Sequence, residues 1–122
     1  MNILVADDLE IYRLALKLYI HKHWTDAVVY EASTMFEVAE DVFDVEFDLL
    51  ILDINMPGTE LLEDFVSKAT NYTKVIIFSD LDKDDKRVEN LIKIGADAFL
   101  PKSSKRVDII STFQLVFSER ES

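Results

Sequence analysis

Short apolar runs alternate along the chain with longer stretches in which apolar residues recur every three or four positions. Ile3-Leu4-Val5-Ala6 is followed by Ile11, Leu14, Ala15 and Leu18 at i, i+3, i+4 and i+7, the spacing of one helix face. Val28-Val29-Tyr30 is a second short run, after which Met35, Val38, Ala39 and Val42 return to helical spacing. Leu49-Leu50-Ile51-Leu52, bounded by Asp48 and Asp53, is continuous, as expected of a strand covered on both faces. Asn55-Met56-Pro57-Gly58 breaks the chain before a helix predicted from about Glu60 to Ala69. The strand Val75-Ile76-Ile77-Phe78, a polar loop around Asp80 to Asp85, a helix stopped at Gly95 and the run Ala98-Phe99-Leu100 come next. A last helix, from about Ser104 to Phe117, places Val107, Ile109, Ile110, Phe113, Val116 and Phe117 on one broad side.

Strands alternating with helices in this way predict an α/β domain: a five-stranded parallel doubly wound sheet with helices on both faces. In such sheets chemistry collects outside the carboxyl ends of the strands. A chain of 122 residues holds one such domain, predicted over residues 1–118, with a polar tail at 119–122. The first helix carries a second apolar stripe, Leu9, Tyr12, Leu16, Tyr19 and Ile20. It reads either as side chains wrapping the helix flanks or as a patch for a kinase helix or a second copy of the chain.

Composition narrows the function. The absence of Cys excludes a disulfide framework, a thiolate metal site and cysteine catalysis. No basic region precedes an apolar run at the start and no stretch approaches the roughly 18 apolar residues of a membrane span, so a cytoplasmic protein is expected. The net charge of −11 is lopsided: Met1 to Val66 carries 3 basic and 15 acidic residues, Ser67 to Ser122 carries 10 and 9. Direct binding to nucleic acid or an anionic membrane, which depends on Lys and Arg neutralising phosphates, is therefore not expected of this segment.

Asp7 and Asp8 follow the first strand, Asp53 the third, Ser79 the fourth and Lys102 lies just past the fifth. Taken singly, each reads as a helix cap, a turn residue or a solvated charge. Together, at the ends of four strands of one sheet, they point to a shared crevice. Three carboxylates about 4 Å apart at an effective dielectric near 20 repel by roughly 4 kcal/mol per pair. A hard divalent cation that keeps open positions, Mg²⁺ above all, relieves that repulsion and meets a phosphoryl group. Lys102 would neutralise a phosphoryl oxygen and Ser79 would donate a hydrogen bond to it. A metal-neutralised carboxylate is a known type of covalent phosphoryl acceptor. His21 and His23, at i and i+2, face different ways and read as two solvated histidines.

The segments ILVADD, LLILDINMPG, VIIFSD and GADAFLPK, in this order and spacing, resemble the receiver domain of two-component response regulators over nearly the whole chain. The start ADDLEIYRLALKLY resembles the subfamily with a LuxR-type helix-turn-helix output domain. The resemblance implies a flavodoxin-like three-layer sandwich with strand order 2-1-3-4-5. It makes Asp53 the phosphoacceptor, Asp8 a direct Mg²⁺ ligand, Asp7 an outer ligand through water and Asn55 a ligand through its backbone carbonyl. Ser79 becomes the switch hydroxyl, Lys102 the phosphoryl contact, and Phe99 the aromatic that swings inward when Ser79 moves. Implied partners are a histidine kinase or phosphotransfer protein, a second copy through the first or last helix, and a DNA-binding output domain in a longer parent chain.

Two departures stand out. Asp80 occupies the position after the switch hydroxyl, where the family usually has Ala or Gly, and Pro101 precedes Lys102 instead of following it. The sequence thus reads as a phosphorylation-controlled signalling switch, an acceptor more than an enzyme, with slow self-dephosphorylation. The alternative is a phosphorylation-independent pseudo-receiver that acts as an interaction module. An aspartyl phosphatase would need an acid where Asn55 stands. A flavin protein would need a phosphate loop after the first strand, and none is present.

Overall fold

The computed structural model describes residues 1–118, so the predicted tail at 119–122 lies outside the described residues. The strands are β1 Asn2–Ala6, β2 Val28–Ala32, β3 Leu49–Leu52, β4 Lys74–Ser79 and β5 Ala98–Pro101. The helices are α1 Glu10–His23, α2 Met35–Asp44, α3 Leu62–Ala69, α4 Lys86–Ile94 and α5 Arg106–Ser118. The strands pair in parallel in the order β2-β1-β3-β4-β5, as the sequence predicts. The stretch before α3 is a 3-10 turn, Thr59–Leu61, because Leu61 at φ −103° and ψ 10° leaves the helical path.

Alternate residues of each central strand face opposite layers, the period-2 rule of extended backbone. Leu4, Leu50, Leu52, Val75 and Ile77 pack with Met35 and Val38 of α2, Leu62 and Val66 of α3, and Val88 and Leu91 of α4. Ile3, Val5, Leu49, Ile51, Ile76 and Phe78 pack on the other side with Leu16 and Ile20 of α1 and Ile109, Phe113 and Val116 of α5. All four residues of β3 are buried, which is why that run reads as continuously apolar. Gly58 adopts φ +89° before the 3-10 turn, where an added Cβ would come within 3.1 Å of both Met35 and Phe36.

The orientation of α1 corrects the sequence reading. The stripe predicted to face the core is largely outside: Ile11 is 68% exposed, Leu14 45% and Leu18 64%. The second stripe is the core stripe instead, with Leu16 and Ile20 buried and Tyr12 and Tyr19 packed beside them, except for Leu9, which caps the helix and is exposed. Two interactions set this rotation. Tyr12 meets Phe78 edge-on, with ring centroids 5.7 Å apart. Arg13 reaches back from the same side to the Asp7 carbonyl oxygen at 2.7 Å and to Glu31 on β2 at 3.0 Å. In α5, Val107 is exposed rather than inward, since it lies two residues, about 200° of helical rotation, from buried Ile109. Likewise Ala39 of α2 is exposed, leaving Met35, Val38 and Val42 as the inward face. Of the two histidines, His21 is exposed as predicted, with Nε2 3.1 Å from the Ala27 carbonyl oxygen, whereas His23 is half-buried and packs edge-on against Trp24 at 4.6 Å.

Candidate functional site

The carboxyl ends of β1, β3, β4 and β5 are tied by backbone bonds that cross from strand to strand. The Asp53 amide donates to the Ala6 carbonyl at 3.0 Å, and the Lys102 amide donates to the Ser79 carbonyl at 2.8 Å. Three of the residues predicted at these ends share one local device. Asp7 Oδ1 accepts the Leu9 amide at 2.9 Å, Asp53 Oδ1 the Asn55 amide at 3.1 Å and Ser79 Oγ the Leu81 amide at 3.1 Å. Each is thus a turn residue of the kind short polar side chains form. The turn bonds leave room for the shared crevice: one oxygen of each aspartate holds the loop, and the other faces the Lys102 ammonium.

Asp7, Asp53 and Ser79 are buried, while Asp8 is exposed at the rim. Among the described residues, Asp7, Asp8 and Asp53 each offer a carboxylate oxygen, all within 4.8 Å of one another. The Lys102 ammonium enters from β5 and stands 2.8 Å from Asp7 Oδ2 and 3.4 Å from Asp53 Oδ2. Buried Asp7 Oδ2 has this ion pair in place of a hydrogen bond to the backbone. Three carboxylates facing a single ammonium, with no soft donor among them, together fit a hard divalent cation. Asp53 and Lys102 illustrate the balance of forces. Burial raises the Asp53 pKa above the ordinary carboxylate value, and the Asp7 charge adds to the rise, against the Asn55 amide and Lys102. Burial works against the Lys102 charge, but its contacts with Asp7 and Asp53 prevail and hold its pKa above the usual lysine value.

Asn55 extends its side chain across the mouth, where Nδ2 donates to Asp80 Oδ1 at 3.2 Å. The extra carboxylate of Asp80 is therefore tethered to the loop after β3. Phe99 is half-buried, packs at the border of the core layer of α2, α3 and α4, and lines a groove of about 560 Å³ with Leu81, Pro101 and Lys102. The structure thus brings Asp7, Asp8, Asp53 and Lys102 into contact range, puts Ser79 at the neighbouring strand end and leaves Phe99 one side chain away.

Sequence reasoning missed three residues. Arg13 braces the Asp7 peptide and joins Glu31, which also binds Lys17 at 3.0 Å. Tyr12 lies under Lys102, its ring centroid 4.2 Å from Nζ, and Phe78 lies 5.7 Å from the same atom. A lone arginine early in α1, in a half of the chain so poor in basic residues, was the available signal for Arg13. For Tyr12 and Phe78 there was none, because their partner is encoded at the other end of the chain.

The receiver resemblance is matched by the comparisons. The model of the response regulator receiver domain family matches residues 3–114. The chain is similar to the oxygen regulatory protein NreC of Staphylococcus epidermidis, 27% identical over 120 residues, covering 96% of this chain and 55% of that protein. It is also similar to the nitrate/nitrite response regulator protein NarL of Escherichia coli, 31% identical over 111 residues, covering 89% of this chain and 51% of that one. The chain therefore spans about half the length of the curated relatives it matches. In fold it resembles a response regulator of Burkholderia pseudomallei solved with a phosphorylated aspartic acid, a calcium ion and citrate: TM-score 0.77, 19% identity, covering 98% of this chain and 70% of that one. With the family model spanning nearly the whole chain, the protein belongs to the response regulator receiver domain family.

Proposed function

We propose that this domain is a phosphorylation-controlled signalling switch that takes a phosphoryl group from a histidine kinase onto Asp53. One observation carries the reading: three carboxylates within 4.8 Å of one another share the crevice with a lysine ammonium 3.4 Å from Asp53. Asp8, Asp53 and the Asn55 carbonyl would hold Mg²⁺, with Asp7 acting through water. When bound, the ion supplies positive charge against the incoming phosphoryl oxygens. An Asp53 carboxylate oxygen forms the new P–O bond as the P–N bond of a phosphohistidine breaks, and the imidazole leaves with the bonding electron pair. Lys102 neutralises a phosphoryl oxygen, Ser79 donates its hydroxyl hydrogen to another, and Phe99 follows Ser79 inward. Water slowly hydrolyses the acyl phosphate, so the domain is an acceptor more than an enzyme.

The exposed apolar face of α1, Ile11, Leu14 and Leu18, supports docking of a kinase helix or a second copy. The regulatory names of the relatives, each about twice this chain's length, support a DNA-binding output domain in a longer parent chain. Among the described residues no helix is long and apolar enough to cross a membrane.

Intact-mass spectrometry after incubation with acetyl phosphate and Mg²⁺ tests the proposal. A single phosphoryl adduct that requires Mg²⁺ and vanishes in Asp53→Asn supports it. A second reading, the phosphorylation-independent pseudo-receiver, draws on the Asn55–Asp80 tether across the mouth. Absence of both an adduct and any response to beryllofluoride would establish that reading in place of the first.

A further inference from the structure

The Lys102 side chain is 7% exposed, and its ammonium is held on one side by carboxylates and on the other by aromatic faces. A lysine stem has four rotatable bonds, so a fixed position for its charge has to be imposed from outside. In the resting site the negative charges of Asp7 and Asp53 impose it, at 2.8 and 3.4 Å. Those tethers weaken when Lys102 is needed. A bound cation would compete for the charge of these carboxylates, and esterification of Asp53 moves negative charge from its carboxylate to the phosphoryl oxygens. The attraction of an ammonium for a ring face arises from the ring quadrupole and does not depend on either event. The Tyr12 centroid lies 4.2 Å from Nζ, inside the roughly 6 Å over which that attraction acts, and in a site largely closed to water. Tyr12 is itself fixed: its amide donates to the Leu9 carbonyl at 3.1 Å, and its ring stands at 76° to Phe78.

We infer that Tyr12 is a positioning residue whose ring, backed by Phe78, is a permanent seat keeping the Lys102 ammonium over the acceptor as the charge on Asp53 changes. The inference rests on the proposed role of Lys102 as the phosphoryl contact. A ring that only fills the space between α1 and the sheet would be replaceable by any apolar side chain of similar bulk. A seat requires an electron-rich face. The two ideas therefore separate on Tyr12→Phe, which keeps the face, against Tyr12→Leu, which keeps only the bulk.

The first readout is the NMR shift of the Lys102 ε-methylene protons, with and without Mg²⁺ and beryllofluoride. Wild type and Tyr12→Phe should show upfield ring-current shifts in both states, and Tyr12→Leu should lose them. The second readout is the rate of adduct formation from acetyl phosphate: Tyr12→Phe should stay within about twofold of wild type, while Tyr12→Leu should slow by about tenfold. Pentafluorophenylalanine at position 12 keeps a ring of similar shape but reverses its quadrupole, and should slow the reaction as leucine does. That variant guards against a leucine protein that folds poorly. An unshifted Lys102 in wild type, or a pentafluorophenylalanine protein as fast as Tyr12→Phe, would overturn the inference. Failure of the acceptor reading looks different: wild type would form no adduct while its resting ring-current shift persisted, and the positioning role would fall with it.

Discussion

The rotation of α1 offers a stability test whose two arms lie two residues apart. Leu16 is 1% exposed, inside the layer formed by Ile3, Val5, Ile20 and Phe78, whereas Leu18 on the same helix is 64% exposed. Truncating a leucine buried to this degree removes its transfer free energy and leaves a cavity between helix and sheet, at a cost of about 3–4 kcal/mol. For a domain of this length each kcal/mol lowers Tm by about 4 °C, so Leu16→Ala should melt about 12–16 °C below wild type. Leu18→Ala removes contacts made mostly with water and should stay within about 0.5 kcal/mol, or about 2 °C. Calorimetry or urea unfolding followed by circular dichroism reads both. Equal losses, or a larger loss from Leu18→Ala, would mean that the helix packs on its other face, and the assignments of Tyr12 and Arg13 would go with it.

Other outcomes follow from the same geometry. Mg²⁺ should raise Tm saturably, by about 2.7 kcal/mol of stability at a hundredfold excess over its Kd, and Asp8→Ala should abolish most of the effect; an equal shift in that variant would refute the carboxylate site. Alanine at Leu14 or Leu18 should slow transfer from a kinase while leaving labelling by acetyl phosphate unchanged, and unchanged kinase transfer would sink the docking role. Hydrogen bonds from Lys17 and then Arg13 hold the Glu31 pKa below its ordinary 4.5. Its contribution to stability is thus present above that pH and lost as pH falls through the lower folded value, so Glu31→Gln should narrow the gap to wild type only in acid. Asp80→Ala removes an exposed charge at the mouth, worth about 1 kcal/mol at 4 Å in water, and should speed labelling by anionic acetyl phosphate up to about fivefold, most clearly at low salt.

The sheet and most of the site were legible because in both cases the signal is local. Each apolar run is a strand, and the polar residue that ends it is placed at the crevice by the strand direction alone, as with Asp7, Asp53 and Ser79. The facing of α1 was not legible, since Leu9, Ile11, Tyr12, Leu14, Ala15, Leu16, Leu18, Tyr19 and Ile20 make that helix apolar nearly all round. Periodicity cannot choose between such faces, and the choice falls to Phe78 and to the reach of Arg13 toward Asp7 and Glu31. The turn bonds of the two aspartates were foreseen only as the competing explanation for them. The tether from Asn55 to Asp80 joins side chains 25 residues apart and left no trace in spacing.

Pro101, a mere inversion of order in the sequence, has a consequence for the sheet's margin. β5 is an outermost strand, and the Lys102 amide donates inward to Ser79. Backbone groups of successive residues in a strand point to opposite sides, so the nitrogen of Pro101 points outward, where an ordinary residue would present a free N–H. Proline presents none. The rim of the sheet nearest the crevice therefore offers no donor there to an intruding β-segment, and this border resists the edge-to-edge stacking that begins many aggregates. The proline thus guards the end of the ladder that holds Lys102 in place.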